Sequence, residues 1–267
     1  MRITYKKLGH GSKAIVFIHG VWMSQRFFHK QMELTIPGYS LYFLDLPSHG
    51  DNIGAPNKNT VSAYAQDLED FFLKENINQA VPVGWSMGAL VVWEYVKQFG
   101  ANRFLGNINI SQPPTDFKYE GYDHAFFDFS TLKNVMHSVQ CNREAFLIEF
   151  LPSMFQHRPS PADLAWMHHE CSKVNPAVAT AILFDQATSD QRKTLPLMLK
   201  PNLLCWGRGE GLIPLQAGYD LAKDQPNTKI AIFEESSHCP FWEEPDSFNQ
   251  ALTTFVTDLG KARKHQL

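Results

Sequence analysis

The sequence predicts an α/β fold: a mostly parallel, doubly wound sheet interrupted by one long helical insertion. Three observations predict it. Continuous apolar runs at residues 14–18, 41–44 and 80–83 have the length and composition of parallel strands buried on both faces. Stretches with apolar residues at helical spacing alternate with these runs. Between residues 113 and 200 the alternation stops, and an aromatic-rich helical stretch broken by Pro152, Pro159, Pro161, Pro176 and Pro196 takes its place. A strandless connection of that length reads as an inserted lid rather than a loop. The expected organisation is a core of residues 1–112 and 201–267 carrying a helical lid of residues 113–200.

Taken in order, residues 2–8 alternate as a first strand does, and a turn at residues 9–12 leads into the run at 14–18. That run leaves through His19-Gly20-Val21-Trp22. Residues 25–34 predict a short helix, stopped by Pro37-Gly38. The strand at 41–45 runs out into Leu46-Pro47-Ser48-His49-Gly50, where Asp45 is expected to stabilise its own turn. Thr60 is a capping residue for a helix over 61–73, whose apolar face is Val61, Tyr64, Ala65, Leu68, Phe71 and Phe72. The strand at 80–83 turns sharply, at Gly84-Trp85-Ser86-Met87-Gly88, into a helix that stops at Gly100. A strand over 104–110 precedes the insertion. After it come strands at 202–206 and 229–233, then a last helix over 245–259 with Gly260 as its C-cap.

With 267 residues, 44% hydrophobic, the chain is large enough for one core with an insertion. A net charge of -3 offers no electrostatic reason to expect nucleic acid. No apolar run approaches the length of a membrane span, and no apolar leader precedes the first strand, so neither membrane insertion nor secretion is expected. Cys141, Cys171, Cys205 and Cys239 show no metal-ligand spacing and read as reduced thiols of a cytoplasmic protein. The basic residues at 261–265 read as a solvated end.

Five motifs fall in a telling order: His19-Gly20 after a buried strand, Asp45-x-Pro47-x-x-Gly50, Gly84-x-Ser86-x-Gly88, Trp206-Gly207-x-x-Glu210-x-x-x-Pro214, and Ser237-His238-x-Pro240-x-x-x-Glu244-Pro245. On these residues the chain resembles the α/β-hydrolases along nearly its whole length outside the insertion. The surroundings of the serine and residues 183–190 are most similar to the esterases and cofactor-free haloperoxidase-like members of that family. The resemblance implies Ser–His chemistry without a cofactor.

Residue by residue, that chemistry has clear requirements. A serine hydroxyl needs a base to take its proton as it attacks. Ser86 at the sharp turn is the nucleophile and His238 the base. His19 reads as a brace for its loop. His168-His169-Glu170-Cys171 invites a metal reading, but neighbouring residues on a helix point apart, and no metal is expected. The family's acid usually is an aspartate, three residues after the glycine that closes its strand; here that position holds Glu210, with Asp116 as the alternative acid. Negative charge developing on a carbonyl oxygen needs two N–H donors, one from Met87 and one from Val21. Trp22 and Trp85 are expected to line the substrate pocket.

The function expected is hydrolysis of small carboxylic esters through an acyl-enzyme. Lactone hydrolysis is an alternative, since a glutamate in the acid position occurs in lactonase-like members. A pimeloyl-acyl-carrier-protein methyl ester esterase is another, because those enzymes also carry Gly-Trp-Ser-x-Gly. A carrier protein is acidic, however, and residues 113–200 hold eight Lys/Arg against ten Asp/Glu, a balance that does not support docking it. Two further alternatives are a haloperoxidase-like perhydrolase and a binding protein of the same fold without catalysis, which fluorophosphonate labelling would separate.

Overall fold

The computed structural model describes residues 3–54, 58–225 and 227–264, with the backbone alone for 262–264. Arg2 and His265, assigned above to the first strand and the basic end, lie outside these residues. The chain enters through β1 (Thr4–Leu8) and β2 (Lys13–Ile18), makes a 3-10 helix over Gln25–Gln31, and continues into β3 (Tyr39–Asp45). Next come α1 (Val61–Lys74), β4 (Ala80–Trp85), α2 (Met87–Phe99) and β5 (Asn107–Ile110). Four helices follow: α3 (Phe129–Cys141), α4 (Arg143–Ser153), α5 (Pro161–Ser172) and α6 (Pro176–Thr188). The chain then returns to the sheet with β6 (Asn202–Gly207), α7 (Leu215–Asp224) and β7 (Thr228–Phe233), and closes with α8 (Pro240–Glu243) and α9 (Pro245–Lys264).

The strands form one sheet in the order β1-β3-β2-β4-β5-β6-β7. β1 is antiparallel to β3 and every other pair is parallel, so the doubly wound α/β architecture stands as the sequence predicts. The apolar runs of β2 and β4 are buried because each strand has neighbours on both edges and helices on both faces. The winding reverses between β2 and β4, the place where open α/β sheets bind ligands beyond their strand ends. Register fixes who meets there: Ile18 pairs with Gly84, and Trp85 with Ile110.

Several elements differ from expectation. The segment after β2 is a 3-10 helix that Ser24 caps and Phe28 interrupts with φ -89° and ψ 18°. The strand before the insertion starts only at Asn107, and Phe104 makes a single bridge to Ala80. Helices α7 and α8 were not foreseen. Residues 113–128 are irregular, tied down by bridges between Thr115 and Asp190 and between Phe117 and Phe127. Thr60 does cap α1, accepting from the Ala63 N–H at 3.1 Å.

Gly260 is the clearest correction. It does not end the last helix as a C-cap, since α9 runs on to Lys264 and Gly260 is absent from the positive-φ glycines. A side chain there would meet nothing closer than Lys13 Nζ at 3.9 Å. Glycine inside a helix costs about 0.5–1 kcal/mol relative to alanine. Gly260→Ala should therefore raise the melting temperature by up to a few degrees. A C-cap would respond with a fall in the same thermal melt.

Candidate active site

Ser86 connects β4 to α2 with φ 51° and ψ -125°, angles that a non-glycine residue adopts only under strain of order 1–3 kcal/mol. Neighbouring bonds hold it there. The Ser86 N–H donates to the Ile110 carbonyl at 3.0 Å, and its own carbonyl accepts from the Ala89 N–H at 2.8 Å. The flanking glycines are required by close approach: a Cβ on Gly84 would strike the backbone at Ala89, and one on Gly88 would strike the Ile18 carbonyl. α2 thus begins at Met87, whose N–H is among the first few that helix geometry leaves without an internal acceptor. Its partially positive end lies beside Ser86.

His238 stands on the loop after β7. Its N–H donates to the Met154 carbonyl at 3.0 Å, and its carbonyl accepts from Trp85 Nε1 at 3.0 Å, so the residue is held through the peptide on each side of it. Gly207, at the end of β6, lets this loop pass close, because a Cβ there would collide with the Ser236 and Ser237 carbonyls. His238 Nδ1 lies 2.8 Å from Glu210 Oε2, and both side chains are buried. The other carboxylate oxygen accepts from the Leu212 N–H at 3.0 Å, which fixes the glutamate within its own loop. A carboxylate accepts only, so Nδ1 is the donor in this contact and Nε2 is the ring nitrogen left for other partners.

Ser86 and His238 line one cavity of about 180 Å³, whose walls include Val21, Trp22, Phe146 and Phe150. Trp22 is held by Nε1 donation to the Ala179 carbonyl at 3.0 Å and by edge contacts with Phe146 and Phe150. Trp85 does not line this cavity. Its indole turns into the core beneath the His238 loop, against Phe27, Phe28 and Phe241.

Asp116 also lines the cavity, but its oxygens meet two carboxamides rather than the imidazole: Gln112 Nε2 at 2.7 Å and Gln186 Nε2 at 2.8 Å. Burial pushes its carboxyl above the usual carboxylate range, against the lowering effect of those two bonds. The partner of His238 is therefore Glu210, not the alternative acid. His19 braces its loop as expected, its Nε2 accepting from the Leu46 N–H at 3.1 Å and its Nδ1 bonding the Gly20 carbonyl at 2.8 Å. Burial lowers its pKa and that of the adjacent His49. Asp45 does more than stabilise its turn, since it also accepts from the Gln25 N–H and Gln25 Nε2, both at 2.8 Å.

The residues at 168–171 diverge. Glu170 pairs with Lys173 at 2.8 Å and Cys171 is buried against Met23. Among the described residues, no group of three or more His, Cys, Asp or Glu is placed to hold a metal. The structure also brings in residues that no local pattern announced. Arg143 of α4 is buried with its guanidinium 4.8 Å from the Trp22 ring, its pKa lowered to about 10 by burial. Gln112 and Gln186 come together at Asp116 from separate parts of the chain.

The profile of the alpha/beta hydrolase family matches residues 15–251. The pimeloyl-[acyl-carrier protein] methyl ester esterase of Vibrio vulnificus is 26% identical over 245 residues, covering 91% of this chain and 93% of that protein. Among solved structures, an esterase from Exiguobacterium antarcticum superposes with a TM-score of 0.89 at 19% identity, covering 96% of this chain and 95% of the other. A bromoperoxidase from Bacillus anthracis reaches the same TM-score of 0.89 at 24% identity, with coverage of 96% and 95%. With the profile matching most of the chain, one conclusion follows: this chain belongs to the alpha/beta hydrolase family.

Proposed function

We propose that the chain is a serine hydrolase that cleaves small carboxylic esters through an acyl-enzyme on Ser86. The observation that carries this reading is the buried 2.8 Å contact between His238 Nδ1 and Glu210, set at the wall of the cavity that Ser86 also lines. Oriented in this way, His238 Nε2 takes the proton from Ser86 Oγ as the oxygen attacks the ester carbonyl. The N–H groups of Met87 and Val21 receive the charge that develops on the carbonyl oxygen. The imidazolium returns its proton to the departing alcohol, and a water molecule, activated by the same histidine, releases the acid.

The α3–α6 segment acts as a lid in this reading, because Phe146, Phe150 and Leu183 come from it and close the cavity over Ser86. Lactones fit the same chemistry. A carrier-linked methyl ester is a second reading, favoured by the name and 26% identity of the Vibrio relative. The negative balance of residues 113–200 weighs against docking an acidic carrier. No helix among the described residues is long and apolar enough to cross a membrane.

A screen of p-nitrophenyl esters by chain length, run beside lactones, tests the reaction class. Ser86→Ala and His238→Ala should each lower kcat by roughly five to six orders of magnitude while leaving the thermal melt nearly unchanged. Near-normal turnover by either variant would remove its residue from the mechanism.

The acid is tested separately. Glu210→Gln should cost about four orders of magnitude in kcat, the size of the loss when an orienting carboxylate is neutralised. Asp116→Asn should cost kcat far less. Steady-state kinetics with the two effects exchanged would make Asp116 the working acid.

A further inference from the structure

Apart from Ser86 and His238, the polar side chains lining the cavity are Asp116, Ser153 and Gln186. Ser153 donates its hydroxyl proton to the Phe150 carbonyl at 2.7 Å. Asp116, only 4% exposed, accepts one amide N–H on each oxygen, from Gln112 and Gln186. Both carboxamides turn their nitrogen towards it, and their oxygens away. Gln112 Nε2 also lies 3.0 Å from the Pro113 carbonyl. Gln186, 5% exposed, is left with an Oε1 that, like Gln112 Oε1, is buried and has no hydrogen-bond partner among the described residues.

This arrangement is costly for packing alone. An unmet buried acceptor and a buried carboxylate both destabilise the fold, and neighbours such as Phe127 and Leu183 show that apolar residues suit this wall. What it offers at the cavity wall is acceptor capacity: spare lone pairs on Asp116, held in place by the carboxamide of Gln186 beside it.

We propose that Asp116 and Gln186 form a specificity subsite for a neutral hydrogen-bond donor on the substrate, a hydroxyl or an amide N–H. The substrates are then esters that carry such a group within reach of the bond cut at Ser86. This rests on the ester-cleaving reading above. A substrate hydroxyl entering the cavity finds acceptors waiting, an alkyl group leaves them unmet, and a free carboxylate meets like charge. The subsite does not take part in the bond-breaking steps. It decides which acyl or alcohol group sits productively.

The test compares p-nitrophenyl butyrate and hexanoate with counterparts bearing a hydroxyl or acetamido group along the chain, and with p-nitrophenyl monoesters of dicarboxylic acids. Wild-type kcat/KM should be about tenfold higher for the best donor-bearing ester than for its alkyl match, and lower for the monoesters. In Gln186→Leu, and in the milder Gln186→Met, that ratio should fall towards unity. An unchanged ratio in both variants, no preference in wild type, or a preference for the carboxylate would overturn the proposal. Binding of the corresponding methyl esters to Ser86→Ala, read from tryptophan fluorescence, separates the two claims. A binding preference without wild-type turnover contradicts the hydrolase reading alone. Turnover without any preference contradicts the subsite alone, and neither turnover nor binding contradicts both.

Discussion

One strained residue governs the layout of the site. Ser86 is held at φ 51° because β4 is bonded to strands on both edges and α2 is drawn tightly back against the sheet. Strain of a few kcal/mol is tolerable only where surrounding structure over-determines the backbone. Here that surrounding is the Ile110 carbonyl, the first turn of α2, and the Ile18 carbonyl pressed against Gly88. Close approach also brings the loop after β2 to the serine, so that a Cβ on Gly20 would lie 3.3 Å from Ser86 Cβ. Val21 therefore shares the cavity with Ser86, and Met87 follows the serine as the first residue of α2.

A glutamate stands where the family usually has aspartate, and the loop geometry explains how it reaches His238. The extra methylene needs a fixed carboxylate, which the Leu212 N–H supplies by holding one oxygen while the other reaches Nδ1. The missing side chain of Gly207 brings the loops after β6 and β7 together. With the imidazole satisfied from that side, Asp116 is free for other duty, and it is tied to Gln112 and Gln186.

What was legible in the sequence follows from the range of the forces involved. Buried strands, the Thr60 cap and the turn around Ser86 depend on local periodicity and backbone sterics, and they stand out. The Glu210–His238 contact was legible because each residue follows a strand end at a position the family resemblance singles out. Trp85 was misjudged, since whether an indole faces a cavity or the core depends on Phe27, Phe28 and Phe241 from other elements. The Asp116–Gln186 contact spans 70 residues and has no local signature. Gly260 carries the ordinary mark of a helix end, but the helix continues past it.

In the proposed mechanism the strained turn and the buried Glu210–His238 contact together make Ser86 a nucleophile. A fluorophosphonate probe followed by peptide mass spectrometry addresses it most directly, because the adduct forms on the attacking oxygen itself. Rapid phosphonylation confined to Ser86, and lost when His238 is replaced by alanine, is the predicted result. An unlabelled Ser86, or labelling equally fast without His238, would contradict it.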